Sequence, residues 1–278
     1  MFNLYKHHVE MVSIIPWSEY TASEIKALTE EAKNNNPVAQ YNLGVFYALG
    51  HNVEENRALS DKWITKSAKL GDLQAQFSLG EKYYCNEDYK KAFHWLSKAA
   101  NKEHIDSMSM LSTMYFNGKG VDQDYEKAFY LFTKSMCRHN SYDQYFLGYL
   151  YENGLGVEQN HKEAIRWYQF AIDQNNPSAK NKLGIMYLFG KSVEKDQEKG
   201  FKLISESAEQ METEGCFHLG LMYAKGIYVK QDYQLAKKYL LLADDYGDYC
   251  DCKLYAKAMK KINSALEKQT LKSQWTQQ

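Results

Sequence analysis

Proline is scarce in this 278-residue sequence, which contains only three. A proline inside a helix costs about 3 kcal/mol. The small number of prolines, together with 23 tyrosines, is therefore typical of a mostly helical chain. A charge excess is also missing, since 34 basic residues face 35 acidic ones. A protein that binds nucleic acid by neutralising phosphates needs a basic surplus, so the composition argues against that class.

Disulfide, export and membrane signals are missing as well. The five cysteines show no regular spacing, and Cys250 and Cys252 lack the second pair that a zinc ribbon requires. The apolar part of the N-terminal stretch is short, is interrupted by Glu10 and runs into Pro16 instead of a small-residue cleavage site. No run is long enough for a membrane-spanning helix. We therefore expect a cytoplasmic protein with reduced thiols.

A Leu-Gly pair recurs along the chain, and a tyrosine follows each glycine slot by three residues. The leucines are separated by 36, 32, 36, 36 and 36 residues, and in one slot Ser112 replaces the glycine. Such regular spacing predicts six copies of one structural unit. The leucines are Leu43, Leu79, Leu111, Leu147, Leu183 and Leu219, and the tyrosines are Tyr47, Tyr83, Tyr115, Tyr151, Tyr187 and Tyr223.

The second half of each unit repeats too. A small residue is followed four positions later by a bulky one, and another small residue comes three positions after that. Spacings of three and four are helical, so each unit is predicted to be two antiparallel helices, called first and second below. The first small residues are Ser60, Ala92, Ala128, Ala164, Gly200 and Ala236, and the bulky ones are Ile64, Leu96, Phe132, Tyr168, Ile204 and Leu240.

The turn between the two helices has its own pattern. Residues 118–121 and 154–157 read Gly-x-Gly-Val, three other units keep the first glycine and the valine, and the second unit has lost the turn. We expect the first glycine to end the first helix in a left-handed conformation. A phosphate-binding loop is excluded, because no strand precedes these turns and no Lys-Ser/Thr follows them.

With these signatures, the sequence resembles the Sel-one-like repeat family, relatives of the tetratricopeptide repeat. The resemblance covers roughly residues 22–260. It implies an all-α fold, a right-handed α-solenoid superhelix of about six antiparallel helix-pair repeats with N- and C-terminal capping helices. We expect residues 1–20 to form an N-terminal segment that either packs on the first repeat or extends away from it. Residues 21–250 are expected to form the solenoid, starting at a capping box on Thr21. Residues 251–278 would form a capping helix, to about Lys268, and a tail.

The first helices present a candidate binding surface. Residues two before, two after and five after each leucine of the repeat point away from their helix's own core. These positions are largely apolar or aromatic, which predicts a concave groove that binds a partner. Two alternatives are that the side chains pack between helices, or that the face is covered by the N-terminal segment or a second copy. The candidate partner-binding residues are Tyr41, Val45, Phe77, Tyr84, Phe116, Tyr145, Tyr149, Ile185, Leu188, Phe217 and Leu221.

The sequence nominates no catalytic, metal-binding or cofactor-binding set. The eight histidines show no ligand spacing such as H-x-x-x-H, and no nucleophile-elbow motif is present. Adjacent acidic pairs such as Glu54-Glu55 point apart on a helix and are expected at the surface. We therefore expect a protein that is not an enzyme and that holds no metal or cofactor.

Two functions are consistent with this pattern, and two others lack the residues that they need. The resemblance implies a non-catalytic scaffold of the bacterial adaptor or regulator type, which binds a peptide or protein partner in its concave groove. A second possibility is a cytoplasmic immunity protein that sequesters a cognate toxin. An RNA-binding helical repeat would need cationic or hydrogen-bonding residues in register on the inner face, which is apolar here. An enzyme would need catalytic groups fixed in a cleft.

Overall fold

A computed structural model describes residues 21–136, 140–246 and 252–275 of the chain, and these ranges contain helices and no strand. The chain divides into two compact units, residues 1–138 and 139–278. Unit 1 contains α1 (Ala22–Lys33), α2 (Pro37–Leu49), α3 (Arg57–Leu70), α4 (Leu73–Cys85), α5 (Tyr89–Ala100), α6 (Ile105–Asn117) and α7 (Tyr125–Ser135). Unit 2 contains α8 (Ser141–Asn153), α9 (His161–Asp173), α10 (Pro177–Phe189), α11 (Gln197–Glu209), α12 (Thr213–Lys225), α13 (Tyr233–Tyr246) and α14 (Cys252–Trp275).

Each first helix begins after a side chain that caps it. That side chain accepts a hydrogen bond from a backbone N–H of the first turn, which would otherwise lack a partner. Four of the six caps are Asn or Asp, which are among the residues most favoured at this position. The capping residues of α2, α4, α6, α8, α10 and α12 are Asn36, Asp72, His104, Asn140, Asn176 and Glu212.

The turns that follow the first helices confirm the predicted left-handed glycine. Five first helices end at a glycine whose φ is between 66° and 69°. Two residues later the backbone is left-handed again, also where the second turn glycine is replaced by Asn52, Ser192 or Tyr228. The turn therefore keeps its conformation in all five repeats that contain it. The five helix-ending glycines are Gly50, Gly118, Gly154, Gly190 and Gly226.

Within each pair, the glycine of the Leu-Gly motif faces the bulky residue of the second helix. A Cβ on Gly44 would lie 2.6 Å from Ile64 Cγ1, and a Cβ on Gly148 would lie 2.7 Å from the Tyr168 ring. The absence of a side chain therefore lets the two helices approach closely. The bulky residues predicted from the repeat are at most 2% exposed in all six pairs.

Successive pairs stack so that the first helices form a layer in each unit. Within each unit, a second helix packs on the first helix of the following pair, as α3 does on α4 in unit 1 and α9 does on α10 in unit 2. First helices also contact one another, α4 with α6 in unit 1 and α10 with α12 in unit 2. Each unit is thus an all-α stack of helix-pair repeats, as in an α-solenoid. We call the outward surface of the first helices the first-helix face.

The two predicted capping helices are present. α1 begins at a capping box in which Thr21 N donates to Glu24 Oε2 at 2.7 Å and Glu24 N donates to Thr21 Oγ1 at 3.3 Å. α14 continues past Lys268, because residues 269–275 contain no glycine or proline to stop it. Neither α14 nor any other helix in the described ranges is long and apolar enough to cross a bilayer. The predicted segment 1–20 lies outside the described residues, and the boundaries at 21–250 stay a prediction.

Candidate interaction face

The eleven candidate partner-binding residues fall into two groups by burial. Tyr41, Val45, Phe77, Leu188 and Phe217 are at most 5% exposed and belong to the hydrophobic core. The expectation that all eleven line an open groove is therefore corrected for these five, which pack between helices. The other six are partly exposed, and their role in binding stays a prediction. They are Tyr84, Phe116, Tyr145, Tyr149, Ile185 and Leu221.

Contacts between neighbouring repeats explain the burial. The hydroxyl oxygen of Tyr41 lies 3.4 Å from Ser78 Oγ on the next first helix, and burial raises the pKa of Tyr41 to about 12. The ring of Phe77 lies 5.2 Å from the ring of His104, which caps the next first helix. In unit 1, α4 is thus contacted by its own second helix α5, by the preceding second helix α3 and by the next first helix α6. A side chain that points away from one of these neighbouring helices is therefore buried against another.

In unit 1, the two partly exposed candidates contact other aromatic rings near the turns. Tyr84 packs edge-on against Tyr89 with ring centroids 5.3 Å apart, and Phe116 packs in the same way against Tyr125 at 5.5 Å. Lys119 Nζ lies 5.4 Å from the centroid of the Tyr84 ring and 5.1 Å from that of the Tyr89 ring. A lysine of unit 1 itself therefore already occupies the cation position over Tyr84.

In unit 2, polar side chains from three neighbouring first helices meet beside Tyr145 and Tyr149. Glu152 lies on α8 with both tyrosines, and α10 and α12 contribute the other members. Hydrogen bonds and an ion pair link the members on α10 and α12, and Glu152 acts on Lys182 through a longer-range attraction. We call this group the unit-2 polar cluster, and it consists of Glu152, Asn181, Lys182, Glu214 and His218.

A chain of hydrogen bonds orders the cluster. Glu214 Oε2 lies 3.0 Å from Lys182 Nζ and accepts from Asn181 Nδ2 at 3.1 Å. Asn181 Oδ1 lies 3.0 Å from His218 Nδ1. Because a carboxylate only accepts, the amide of Asn181 turns its nitrogen to Glu214 and its oxygen to His218. His218 therefore donates from Nδ1, which makes Nε2 the acceptor of the neutral ring.

Glu152 is held from the second-helix side. The hydroxyl of Tyr168 on α9 donates to Glu152 Oε2 at 2.6 Å. Burial strongly raises the pKa of Tyr168, and the neighbouring Glu152 carboxylate raises it further, so the tyrosine stays a donor. The ring of Tyr145 lies 6.0 Å from that of Tyr168. The buried core of this pair thus fixes both a carboxylate and a tyrosine of the face.

The electrostatics of the cluster follow from burial and pairing. Burial lowers the pKa of His218, so the imidazole is neutral near pH 7. Burial opposes the charge of Lys182, but the Glu214 carboxylate outweighs it and raises the pKa of this lysine. Two carboxylates, Glu152 and Glu214, therefore share the face with one cation, Lys182.

The polar groups of the cluster are suited to binding. In the described ranges, no group of three or more His, Cys, Asp and Glu side chains is arranged to hold a metal ion. The donors and acceptors of the cluster instead resemble the few placed polar groups that orient a bound chain.

None of the five residues of this cluster was among the candidates predicted from the sequence. Glu152 and Asn181 occupy positions of the predicted face but were outside the candidate set, because the candidates were chosen for apolar character. Lys182 and His218 occupy equivalent repeat positions, each one residue before the leucine of Leu-Gly. Their shared position in the repeat was the sequence signal that could have placed these two side chains on the same face. Glu214 lies in the first turn of α12, where nothing in the repeat pattern marks it.

Comparison with known proteins gives the family. The model of the Sel1 repeat matches residues 37–72, 73–104, 105–137, 141–176, 177–210 and 213–243, which is more than half of the chain. The chain belongs to the Sel1 repeat family. Sel1 repeats generally mediate protein–protein interactions, and the family is one of interaction scaffolds.

Two solved structures resemble this Sel1 repeat chain over most of its length. A protective antigen of uropathogenic Escherichia coli with an SLR fold is 27% identical with a TM-score of 0.68, covering 88% of this chain and 52% of its own. A Sel1 repeat protein from Oxalobacter formigenes is 28% identical with a TM-score of 0.64, covering 85% and 68%. A sel1-like repeat-containing protein of Acanthamoeba polyphaga mimivirus is 34% identical over 86 residues, which are 31% of this chain and 16% of the viral protein. The chain thus spans about half of the antigen and a small part of the viral protein.

Proposed function

We propose that this Sel1 repeat chain is a non-catalytic interaction module of the adaptor or regulator type. It binds an extended segment of a protein partner on the first-helix face of unit 2. Tyr145, Tyr149, Ile185 and Leu221 supply apolar contact, and the unit-2 polar cluster supplies hydrogen bonds. The proposal extends the general role of the family to one surface of this chain.

One observation carries the proposal. In unit 2, two partly exposed tyrosines on α8 lie beside a hydrogen-bonded set of polar side chains from α10 and α12. Aromatic rings next to ordered polar groups are the composition in which binding energy concentrates at protein interfaces. Because Tyr168 and Asn181 hold the cluster in place, a partner loses little free energy in ordering it.

The charges of this face favour a protein partner over RNA. A helical repeat that binds RNA presents cations or hydrogen-bonding groups in register toward the phosphates and bases. Here Glu152 and Glu214 outnumber Lys182, so the face would repel a phosphate backbone.

The test is a selection of peptides from a random displayed library against the folded chain. Selected peptides are then measured by fluorescence anisotropy against Tyr149→Ala and against Phe170→Ala. Phe170 is the matched control, because it is an aromatic residue of the same unit that is 39% exposed on the second helix α9. Removing an aromatic anchor costs about 2 kcal/mol or more, so we expect Tyr149→Ala to weaken binding about 30-fold.

The control variant should bind like the unchanged chain, and thermal melting should show that both variants fold. If peptides bind Tyr149→Ala as tightly as the unchanged chain and lose affinity for Phe170→Ala, the binding surface is the second-helix side and the proposal is wrong.

A further inference from the structure

Glu152 is a carboxylate of the first-helix face whose charge is not balanced by a contacting cation. Lys182 Nζ lies 3.0 Å from Glu214, which it neutralises. Glu152 accepts from the hydroxyl of Tyr168 and, within the described ranges, forms no ion pair with a Lys, Arg or His side chain. Lys182 acts on Glu152 only through a longer-range attraction. The face therefore has room for one more positive charge, and that charge belongs at Glu152.

The surroundings of Glu152 suit a flat cation. Tyr145, Tyr149 and Glu152 are spaced by four and three residues, so they lie on one stripe of α8. A cation that pairs with Glu152 consequently lies next to tyrosine rings, which attract it through their faces. The Tyr149 ring already has a cation near it, since Lys182 Nζ lies 5.8 Å from its centroid.

The nearby polar groups are mainly acceptors. Glu152 Oε2 takes one hydrogen bond, from Tyr168, and a carboxylate has room for several. The hydrogen-bond chain makes Nε2 of neutral His218 an acceptor too. A guanidinium offers five N–H donors in a planar fork, which matches a carboxylate in pairs and stacks on aromatic rings, whereas an ammonium is a compact point charge.

We infer that the partner segment on this face is basic and places an arginine against Glu152, with its guanidinium beside Tyr149. The inference rests on the proposed function, because it names the chemistry of the partner at the same surface. It assigns to Glu152 the role of selecting the charge of the partner.

The experiment measures charge selection at Glu152 with a double-mutant cycle. Arginine-containing peptides from the selection are compared with analogues in which citrulline, a neutral isostere, replaces the arginine. Both are titrated against the unchanged chain, against Glu152→Gln, which keeps an acceptor for Tyr168, and against Glu158→Gln. Glu158 is the control, because it is an exposed carboxylate in the turn after α8, and its loss changes the net charge equally.

We expect arginine to be enriched among the selected peptides that depend on Tyr149. Glu152→Gln should weaken the arginine peptide about tenfold, as removal of one partner of a close charge pair does. The citrulline analogue should bind the unchanged chain as weakly as the arginine peptide binds Glu152→Gln. Its affinity should not fall further when it is titrated against Glu152→Gln. Glu158→Gln should bind both peptides like the unchanged chain.

Two results would overturn the inference in different ways. Tyr149-dependent peptides that are neutral or acidic, or an arginine peptide that binds Glu152→Gln without loss, would refute it and leave the proposed function standing. The absence of any Tyr149-dependent peptide would refute both.

Discussion

At the residue scale, the glycine of the Leu-Gly motif sets how closely the two helices of a pair approach. In the fourth pair, a Cβ on Gly148 would lie 2.7 Å from two atoms of the Tyr168 ring and 3.2 Å from the carbonyl oxygen of Ala164. Tyr168 is fully buried and hydrogen-bonded to Glu152, so its ring cannot move aside freely. The same glycine therefore affects both the core and the position of a carboxylate on the face.

We predict that Gly148→Ala destabilises the chain by about 1–3 kcal/mol, the usual cost of overpacking a core. Ser112→Ala is the control, because the equivalent position in the third pair already carries a Cβ. Ser112→Ala should lower the free energy of unfolding by only about 1 kcal/mol, the net value of the hydrogen bond that Ser112 Oγ donates to the Ser109 carbonyl. Urea unfolding measures both values. Equal stabilities for Gly148→Ala and the unchanged chain would contradict the packing argument.

His218 gives a second prediction at this scale, on the dependence of stability on pH. Burial lowers its pKa below the ordinary value of 6.5, with a smaller opposing effect of Glu214 and a reinforcing one of Lys182. As the pH falls below about 6.5, the unfolded chain takes up a proton at this residue before the folded chain does. The free energy of unfolding should therefore decrease from that pH downwards, until the lower pKa of the folded state is reached.

His218→Gln removes this titration and keeps a donor for Asn181. We expect the difference in unfolding free energy between the unchanged chain and His218→Gln to depend on pH below 6.5 and to be constant above it. A difference that stays constant across the whole range would show that the imidazole is not buried as described.

At the element scale, the turn of the third repeat packs on the second repeat, which has lost its own turn. α4 and α5 are joined by residues 86–88 alone, and Gly120 lies against the backbone of Tyr89, where a Cβ would overlap the Tyr89 carbonyl. Gly120 also has a φ of 74°. The lost turn of one repeat is thus covered by the turn of the next.

We predict that Gly120→Ala is clearly more destabilising than Gly118→Ala. Both positions are left-handed, which costs alanine about 1–2 kcal/mol, but a Cβ on Gly118 meets its nearest atom at an ordinary 3.4 Å. Only Gly120→Ala adds the overlap with the Tyr89 backbone. Melting temperatures of the two variants measure the difference, and equal values would mean that the turn does not rest on α5.

The helices and turns also show which features of the structure could be predicted from the sequence alone. The helix pairs and the left-handed turns follow from local patterns that recur along the chain, and the family resemblance implies the capping helices, so these elements could be predicted. Exposure could not, because the angle of a residue on its own helix says nothing about the next repeat. Tyr41 and Phe77 point away from their own second helix and are covered by the following first helix or its cap. The polar cluster was missed for a related reason: its members come from three repeats, and only contacts between repeats bring Glu152, Lys182 and His218 together.

At the scale of the whole molecule, the two units are built from the same kind of repeat and differ at their first-helix faces. In unit 1, the partly exposed Tyr84 and Phe116 pack against the rings of Tyr89 and Tyr125. In unit 2, Tyr145 and Tyr149 lie beside an ordered polar cluster in which Glu152 accepts from Tyr168 and, among the described residues, forms no ion pair. We therefore assign partner binding to unit 2, although both units belong to the same family of interaction repeats.

Photo-crosslinking of a selected peptide tests this claim most directly. A peptide that carries a photoreactive side chain at each position in turn is crosslinked to the full chain, and the attachment sites are mapped by mass spectrometry. We expect attachment to the first helices of unit 2, on the stripe of Tyr145, Tyr149 and Glu152 and around Lys182. Attachment confined to the second helices α9 and α11, or to unit 1, would contradict it.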